Sequence, residues 1–168
     1  EEGKYHYTGH KDCDVNLHPN EAAKLNNICH KCKKKLTVGV LQRIEELADR
    51  PEGFAPKNPV PFKTLLPLYE IISYSTGANT LYSKKVLEIH DKLLDRFGTE
   101  LKILLETPKE EIEKVVGEKI ATAVTTAREG KVRYIPGFDG EYGKPVFGEN
   151  FTLKQTFVDQ KTLSEFKK

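Results

Sequence analysis

A chain of 168 residues with a formal net charge of +2 and 38% hydrophobic residues suits one domain or two small ones with a modest core. Its apolar runs fall short of the about 20 residues that a membrane-spanning helix needs, and its first residues lack the apolar segment of a signal peptide. We therefore expect a cytoplasmic protein without a membrane partner. Because the charge is nearly balanced, any contact with nucleic acid has to come from local basic clusters.

The first third of the chain contains two pairs of potential metal ligands. His10 and Cys13 form the first pair, and Cys29 and Cys32 repeat the same two-residue spacing. Such a gap lets one tight turn direct both side chains at one ion, and two turns complete the tetrahedron that structural Zn²⁺ prefers. The spacing predicts a zinc-ribbon-like segment over residues 1–36 that binds one structural zinc ion through these four residues.

Sequence alone leaves the fourth ligand open. His6 and His30 are alternatives to His10, and His18 is expected to lie in the loop before the helix that starts at Pro19. A redox dithiol at the second pair fits the pattern less well, because that motif opens a helix after a buried strand and this one precedes three lysines. A disulfide would leave one of the three cysteines without a partner.

Short helices are predicted around and after the ligand pairs. Residues 1–9 are expected to form an entry loop, and Pro19 starts one or two helical turns between the pairs. Thr37 is predicted to cap a helix over Val38–Ala48, whose apolar stripe is buried. The predicted stripe is Val40, Leu41, Ile44, Leu47 and Ala48, and the residues expected to face water are Gln42, Arg43, Glu45 and Glu46.

Four prolines between positions 51 and 61 forbid regular structure there and mark a connector. Beyond it we predict a helix over Leu65–Tyr74 and a second over Lys84–Phe97 that is capped by Ser83. The second helix places His90 on its apolar face, where a hydrogen-bonded role in the core is expected rather than catalysis.

Three further helices have clear start and stop signals. Thr99 is predicted to cap a short helix, and Thr107 begins a capping box with Pro108 at the first helical position of the next one. Gly117 separates that helix from the last, Glu118–Arg128.

After Gly130 the pattern changes to alternation, which predicts short strands around Val132–Tyr134 and Val146–Phe147 on either side of a glycine-rich loop. The predicted fold is mainly α with a small zinc ribbon, helix-hairpin-helix-like units and minor β structure at the C-terminal end. We divide the sequence into a metal-binding segment 1–36, a helix and connector 37–61, a helical domain 62–130, a glycine-rich loop with strands 131–149, and a polar tail 150–168.

The helices around Gly117 resemble the helix-hairpin-helix element of DNA repair proteins. The resemblance rests on Phe97-Gly98, Glu110-Glu111-Ile112, Val115-Val116-Gly117 and Ile120-Ala121 in that order. It implies that N–H groups at a helix start bind a DNA phosphate, with Lys119 reinforcing them. This chain has Lys119 where the family has a second glycine, and a turn needed only for packing stays an alternative.

A wider resemblance covers nearly the whole chain, to about Gly148. The segments that carry it are Glu2-Gly3-Lys4-Tyr5-His6-Tyr7, Gly9-His10 with Cys13, Cys29 with Cys32, Glu45-Glu46-Leu47-Ala48-Asp49-Arg50-Pro51-Glu52-Gly53, and Pro136-Gly137-Phe138-Asp139-Gly140-Glu141-Tyr142-Gly143. They look like the C-terminal portion of endonuclease Q. The resemblance implies a zinc-binding and DNA-binding fragment of a PHP-family hydrolase that nicks DNA 5′ to deaminated bases or abasic sites. It also implies that the catalytic PHP domain lies outside this chain, and the absence of any methionine likewise indicates a piece of a longer protein.

Basic residues offer candidate contacts to the DNA backbone, which would be independent of sequence and would weaken with salt. The candidates are Lys33, Lys34, Lys35, Lys84, Lys85, Gly117, Lys119, Arg128, Lys131 and Arg133. Taken singly, each of the charged ones is more often just a solvated surface residue. The aromatic residues Tyr5, Tyr7, Phe138 and Tyr142 could stack on a displaced base, with core packing as the alternative.

Three classes of function stay open from the sequence. The first is the DNA-binding portion of a lesion-specific endonuclease, with DNA and the PHP domain as partners. The second is an enzyme whose site we have not recognised. The third is a protein-interaction module that docks a partner such as a sliding clamp, for which Gln155–Phe157 and Leu163–Phe166 provide apolar anchors.

Overall fold

A computed structural model describes residues 1–51, 53–78 and 80–147 and divides the chain into two compact units. The first unit contains Glu1–Phe54 and Tyr134–Lys144, and the second contains Ala55–Arg133 with the short stretch that begins at Pro145. The described residues form seven α-helices and two small two-stranded sheets, so the predicted fold class is confirmed. The five-segment division stays a prediction, and the polar tail lies outside the described residues.

The helices and strands of both units are short. In the first unit β1 (Thr8–His10) pairs antiparallel with β2 (Val15–Leu17), a 3₁₀ turn (Lys11–Cys13) joins them, and α1 (Pro19–Lys24) and α2 (Val40–Leu47) follow. The second unit contains α3 (Leu68–Thr76), α4 (Lys84–Phe97), α5 (Glu100–Leu105), α6 (Lys109–Val116) and α7 (Glu118–Arg128). The second sheet consists of β3 (Arg133–Ile135) and β4 (Lys144–Val146), near the two predicted strands.

Strand β1 already begins at Thr8, so the predicted entry loop over residues 1–9 is wrong for its last two residues.

The core of the first unit is small. A hydrophobic cluster of this size buries little apolar surface, so the unit depends on other bonds for its stability. The buried residues of the cluster are Val15, Ala22, Cys29 and Leu36, and Cys13, Leu17 and Cys32 pack against them.

The glycine-rich loop closes over the first residues of the chain. Gly137 and Gly143 donate their N–H groups to the carbonyls of Glu1 and Glu2, at 3.0 and 2.9 Å. The N–H of Tyr7 in turn donates to the carbonyl of Gly137 at 2.9 Å. A Cβ at either glycine would overlap backbone atoms of the facing segment, so only glycine fits there.

Helix α2 begins later than the sequence predicts. Its N-cap is Gly39, and a Cβ at this position would overlap the backbone of Tyr7. The predicted capping role of Thr37 is wrong, because Gly39 is the N-cap and no side chain caps the helix. The Thr37 Oγ1, which was expected to accept a backbone N–H of the helix, donates to Oδ1 of Asp139 in the glycine-rich loop at 2.5 Å.

The face that α2 buries differs from the predicted one, although the charged residues of the helix are exposed as predicted. Gln42, which was expected to face water, is 7% exposed. Val40, Ile44 and Leu47, which were expected to form a buried stripe, are 56%, 55% and 66% exposed. The 3.6-residue period identified the helix correctly but did not determine which face is covered.

The second unit packs its five helices around an aliphatic core, and two of its predicted caps are confirmed. Ser83 Oγ accepts the N–H of Val86 at the start of α4, and Thr99 Oγ1 accepts the N–H of Lys102 at the start of α5. His90 is half-buried, with Nδ1 3.4 Å from the carboxylate of Asp91. The largest fully buried side chains of this unit are Leu68, Ile71, Ile72, Val86, Leu93, Ile103, Ile112 and Val124.

Two predicted helix starts in this unit are wrong. Thr107 does not begin a capping box, because its Oγ1 donates to the carbonyl of Lys102 at 3.1 Å and so closes the end of α5. Pro108 is itself the N-cap of α6, and no side chain caps that helix. Helix α3 begins at Leu68 rather than Leu65, because Pro67 is extended and disfavours helical geometry in the residue before it.

Candidate metal centre

The structure brings the four predicted ligands together. The ligand atoms of His10, Cys13, Cys29 and Cys32 all lie within 4.8 Å of one another. His10 Nδ1 is 3.4 Å from the Sγ of Cys32, which is close to the edge of a tetrahedron with metal–sulfur bonds of about 2.3 Å. Three sulfurs and one imidazole nitrogen could therefore hold one metal ion here.

Each ligand pair lies in a tight turn that ends at a residue with a left-handed backbone. The residue after each second ligand is left-handed, Asp14 with φ 49° and Lys33 with φ 64°. The Asp14 N–H donates to the carbonyl of Lys11 at 2.9 Å, and the Lys33 N–H donates to the carbonyl of Cys29 at 2.9 Å. The two-residue spacing thus folds into two tight turns, closed over three and four residues, whose ligand side chains converge on one place.

The pKa values of two of the three cysteine thiols are shifted in opposite directions. Burial raises the pKa of the Cys13 thiol to about 11, and hydrogen bonding with the thiols of Cys32 and Cys29 acts in the same direction. Burial also acts to raise the pKa of Cys29, but the N–H groups of Cys32 and Lys31 outweigh it and lower that pKa to about 6. The turn therefore stabilises one thiolate in advance, and a bound ion would displace the remaining thiol protons.

Two residues inside the ligand pairs lie beside the site, and the sequence reasoning missed them. The Nε2 of His10 is 4.0 Å from the exposed carboxylate of Asp12, too long for a hydrogen bond, while Nδ1 faces the Sγ of Cys32 at 3.4 Å. Lys31 Nζ donates to the carbonyl of Cys13 at 2.6 Å and joins the two turns. The signal was available, since both residues lie inside the ligand pairs.

The alternative histidines lie outside the cluster. His6 stacks on the ring of Tyr7 with centroids 5.3 Å apart, and burial lowers its pKa. His18 lies just before the helix that starts at Pro19, as predicted, and is in addition the N-cap of α1. His30 has a buried Nε2 for which the described residues provide no hydrogen-bond partner, and burial lowers its pKa. Geometry thus favours His10 as the fourth ligand.

The candidate DNA-contacting lysines differ in their surroundings. Lys33, Lys34 and Lys35 are exposed beyond the second turn, and within the part of the chain that the structure describes no carboxylate forms an ion pair with them. Lys84 pairs with Glu88 at 3.9 Å, and Lys131 pairs with Glu129 at 2.8 Å. The run of three lysines is thus the more available group.

Arg128 has a structural role that its position in the sequence did not reveal. Its Nε donates to the carbonyl of Leu104 at 2.8 Å, and one terminal nitrogen donates to the carbonyls of Ile103 and Thr107 at 2.9 and 2.7 Å. These carbonyls lie at the end of α5 and just after it, where helix acceptors lack partners. Arg133 forms interactions of its own, and contact of either arginine with DNA stays a prediction.

Gly117 joins α6 and α7 with φ 88° and ψ 164°, a conformation open to glycine. It is the N-cap of α7, and no side chain caps the N–H groups there. Lys119 lies in the first turn of α7 and is exposed. Lys85, in the first turn of α4, is exposed as well.

No helix among the described residues is long and apolar enough to cross a membrane. Among those residues, the cluster of His10 and the three cysteines is also the single group of three or more His, Cys, Asp or Glu side chains placed to share an ion.

Sequence comparisons identify relatives of greater length. The family model described as the MJ0043 C-terminal domain matches residues 67–131, which include α3 to α7. The chain is 34% identical over 145 residues to the uncharacterized protein MJ0043 of Methanocaldococcus jannaschii, covering 86% of this chain and 18% of that protein. It is 33% identical over 143 residues to the uncharacterized protein YqxK of Bacillus subtilis, covering 84% and 32%. The chain thus spans a third or less of each relative.

Solved structures give a more informative match. The lesion-specific endonuclease PfuEndoQ of Pyrococcus furiosus is 34% identical, with a TM-score of 0.75 over 92% of this chain and 38% of that one. A complex of endonuclease Q with a 27-mer duplex substrate, which carries an abasic lesion at the active site, is 33% identical with a TM-score of 0.71 over 92% and 39%. The resemblance to endonuclease Q is thereby confirmed in sequence and in fold, and the match to a C-terminal domain model is consistent with the C-terminal portion of that family.

Proposed function

We propose that this chain is the zinc-binding and DNA-binding portion of an endonuclease-Q-like repair nuclease that nicks DNA 5′ to deaminated bases or abasic sites. The observation that carries the proposal is the likeness to endonuclease Q over 92% of the chain at 34% identity and a TM-score of 0.75. The catalytic PHP domain belongs, in this proposal, to a preceding part of the polypeptide. In support, the chain spans only 38% of the solved relative.

Zinc is the ion that suits the proposed site, with His10, Cys13, Cys29 and Cys32 as ligands. Thiolates and imidazole are the usual donors of structural Zn²⁺, and four protein ligands leave no open position for a substrate. Bound there, zinc would supply structural stability rather than chemistry. Because two ligands belong to each turn, the ion would fasten β1 and β2 to the segment around Cys29.

DNA is the proposed partner, and the run of lysines after Cys32 is the proposed contact surface. Its support is the exposure of Lys33, Lys34 and Lys35 beside a rigid turn. The open N–H groups after Gly117 at the start of α7, with Lys119 beside them, suit a second phosphate. We leave Arg128 out of this surface because its guanidinium is already bound to three carbonyls.

The test measures binding of the 168-residue chain to a duplex with one abasic site. Fluorescence anisotropy reports the affinity at each salt concentration of a series. We expect affinity to fall steeply with salt, and the triple change of Lys33, Lys34 and Lys35 to Gln to lower the logarithmic salt slope by about 2 to 3. Lys131→Gln, which removes a lysine paired with Glu129, is the matched control and should change the slope little. An absence of affinity at low salt would contradict the DNA-binding proposal.

A protein-interaction role, with a sliding clamp as the partner, is the second candidate. Its proposed anchors at Gln155–Phe157 and Leu163–Phe166 lie outside the described residues, so this remains a proposal from sequence. Cytoplasmic location is proposed on the same basis, since zinc thiolates require a reducing compartment.

A further inference from the structure

Helix α2 presents an apolar stripe to solvent. Val40, Ile44 and Leu47 recur at the spacing of one helix face, and each is more than half exposed. A single exposed aliphatic residue is ordinary on a protein surface. Three on one face of an eight-residue helix form a contiguous patch of the kind that marks an interaction surface.

Buried polar contacts hold α2 in this orientation. Thr8 is fully buried, and its Oγ1 donates to Oε1 of Gln42 at 2.7 Å while accepting the N–H of Gly39 at 3.0 Å. Turning the helix to bury its stripe would leave these atoms without partners, which is costly inside a protein. The fold therefore keeps the apolar side outward and the polar Gln42 inward.

The chemistry of this face suits a protein partner and not DNA. Its polar neighbours on α2 are Glu45 and Glu46, whose carboxylates repel phosphate. The one basic residue of the helix, Arg43, is already paired with Glu46 at 3.0 Å. Aliphatic side chains at this spacing are typically buried in a groove of a folded protein.

The position of the first residues indicates which protein covers the stripe. The carbonyls of Tyr5 and His6 accept the N–H groups of Val40 and Leu41, at 2.7 and 3.1 Å, so the first segment runs beside the start of α2. The larger part of each solved endonuclease Q chain lies outside the matched region, since only 38% and 39% are covered. We infer that the α2 stripe docks against the catalytic domain placed before Glu1, an inference that rests on the proposed function.

The experiment compares the 168-residue chain with the natural longer polypeptide by hydroxyl-radical labelling of side chains and mass spectrometry. We expect labelling of Val40, Ile44 and Leu47 to be severalfold lower in the longer polypeptide. The double variant Ile44→Gln with Leu47→Gln should return the labelling of Val40 to the level of the shorter chain. Glu45→Gln, on the same helix but outside the stripe, is the matched control and should keep it low.

Folding of the variants is checked in the 168-residue chain, where both should melt within about 2 °C of the wild type because the changed side chains are exposed. A large loss there would overturn the inference, because the stripe would then serve the fold of this unit. Protection of the stripe already in the 168-residue chain, where no further domain is present, would overturn the inference as well. If that protection rises with concentration, a second copy is the occupant.

Nicking of a duplex with an abasic site by the longer polypeptide is read in parallel. If the longer polypeptide nicks the duplex but the stripe is labelled equally in both polypeptides, the docking is overturned and the proposed function stays intact. Protection without nicking would contradict the proposed function and support the docking. A natural polypeptide without a domain before Glu1 would overturn both.

Discussion

Thr8 and Gln42 are joined by a buried hydrogen bond of 2.7 Å across 34 residues of sequence. The bond ties strand β1 to helix α2 and fixes the side of α2 that faces inward. The hydroxyl of Thr8 also accepts the N–H of Gly39, the N-cap of the helix, so one side chain determines where α2 begins and how it is turned.

Replacing this hydroxyl is expected to destabilise the protein. Thr8→Val keeps the shape of the side chain but leaves Gln42 Oε1 and the Gly39 N–H without their partner, at a cost of about 2 kcal/mol. The free energy of unfolding from urea titration measures the loss. Thr122→Val, at an exposed position of α7, is the control and should change it by less than about 0.5 kcal/mol. Equal effects at both positions would show that the bond adds nothing.

Removal of the metal is expected to unfold the first unit. The buried cluster around Val15 and Leu36 is too small to hold the unit alone, so ligand binding and folding are coupled. A chelator should abolish the cooperative melting transition of this unit while the aliphatic core of the helical unit still melts. Calorimetry with and without chelator measures this, and unchanged melting of metal-free protein would contradict the proposed site.

Metal content should distinguish His10 from the other histidines. His10→Ala removes one of four ligands and is expected to lower zinc retention, measured by native mass spectrometry, by more than tenfold. His30→Ala, whose side chain is outside the cluster, should retain one zinc ion per chain. Loss of zinc from His30→Ala with retention in His10→Ala would reverse the ligand assignment.

Asp139 is expected to make stability depend on acid pH. Burial acts to raise its pKa, but bonds from the Thr37 hydroxyl and the Lys11 N–H lower the pKa below its ordinary value of 3.8. Because the folded-state pKa is the lower one, this stabilisation is fully present above the ordinary value and is lost as pH falls through the depressed one.

Asp139→Asn tests this, since asparagine tolerates the left-handed backbone at φ 42° but carries no charge. We expect a loss of about 2 kcal/mol at pH 7 that shrinks below about pH 4, measured by urea unfolding. The exposed Asp95→Asn is the control, with little change at any pH. A constant difference between Asp139→Asn and the wild type would contradict the assignment.

Arg128 is expected to matter for stability and not for DNA affinity. Arg128→Ala leaves three carbonyls near the end of α5 without their charged donor, which should cost about 2 to 4 kcal/mol. Thermal melting measures the loss, and Lys131→Ala is the exposed control. At a temperature where both variants are folded, DNA affinity should match the wild type. A loss of affinity without a loss of stability would instead give Arg128 a role in DNA contact.

The sequence by itself determined the features that depend on neighbouring residues. Two ligand pairs at one spacing predicted the cluster, because a tight turn is set by a few adjacent residues. Helix boundaries were predicted correctly at Ser83, Thr99 and Gly117 for the same reason, because a helix cap is formed with the adjacent turn of the same helix. The resemblance to endonuclease Q also came from continuous segments of residues.

Only the tertiary structure decided which competing partner each polar group takes. Thr37 could cap a helix locally, but Asp139, 102 residues away, accepts its hydroxyl instead. The apolar period of α2 was correct, yet the bond from Thr8 to Gln42 orients the helix so that its apolar face is exposed to solvent. Arg128 looked like a free cation until the fold brought the carbonyls around α5 to it. These outcomes depend on distances between segments far apart in the chain, and a local pattern does not contain those distances.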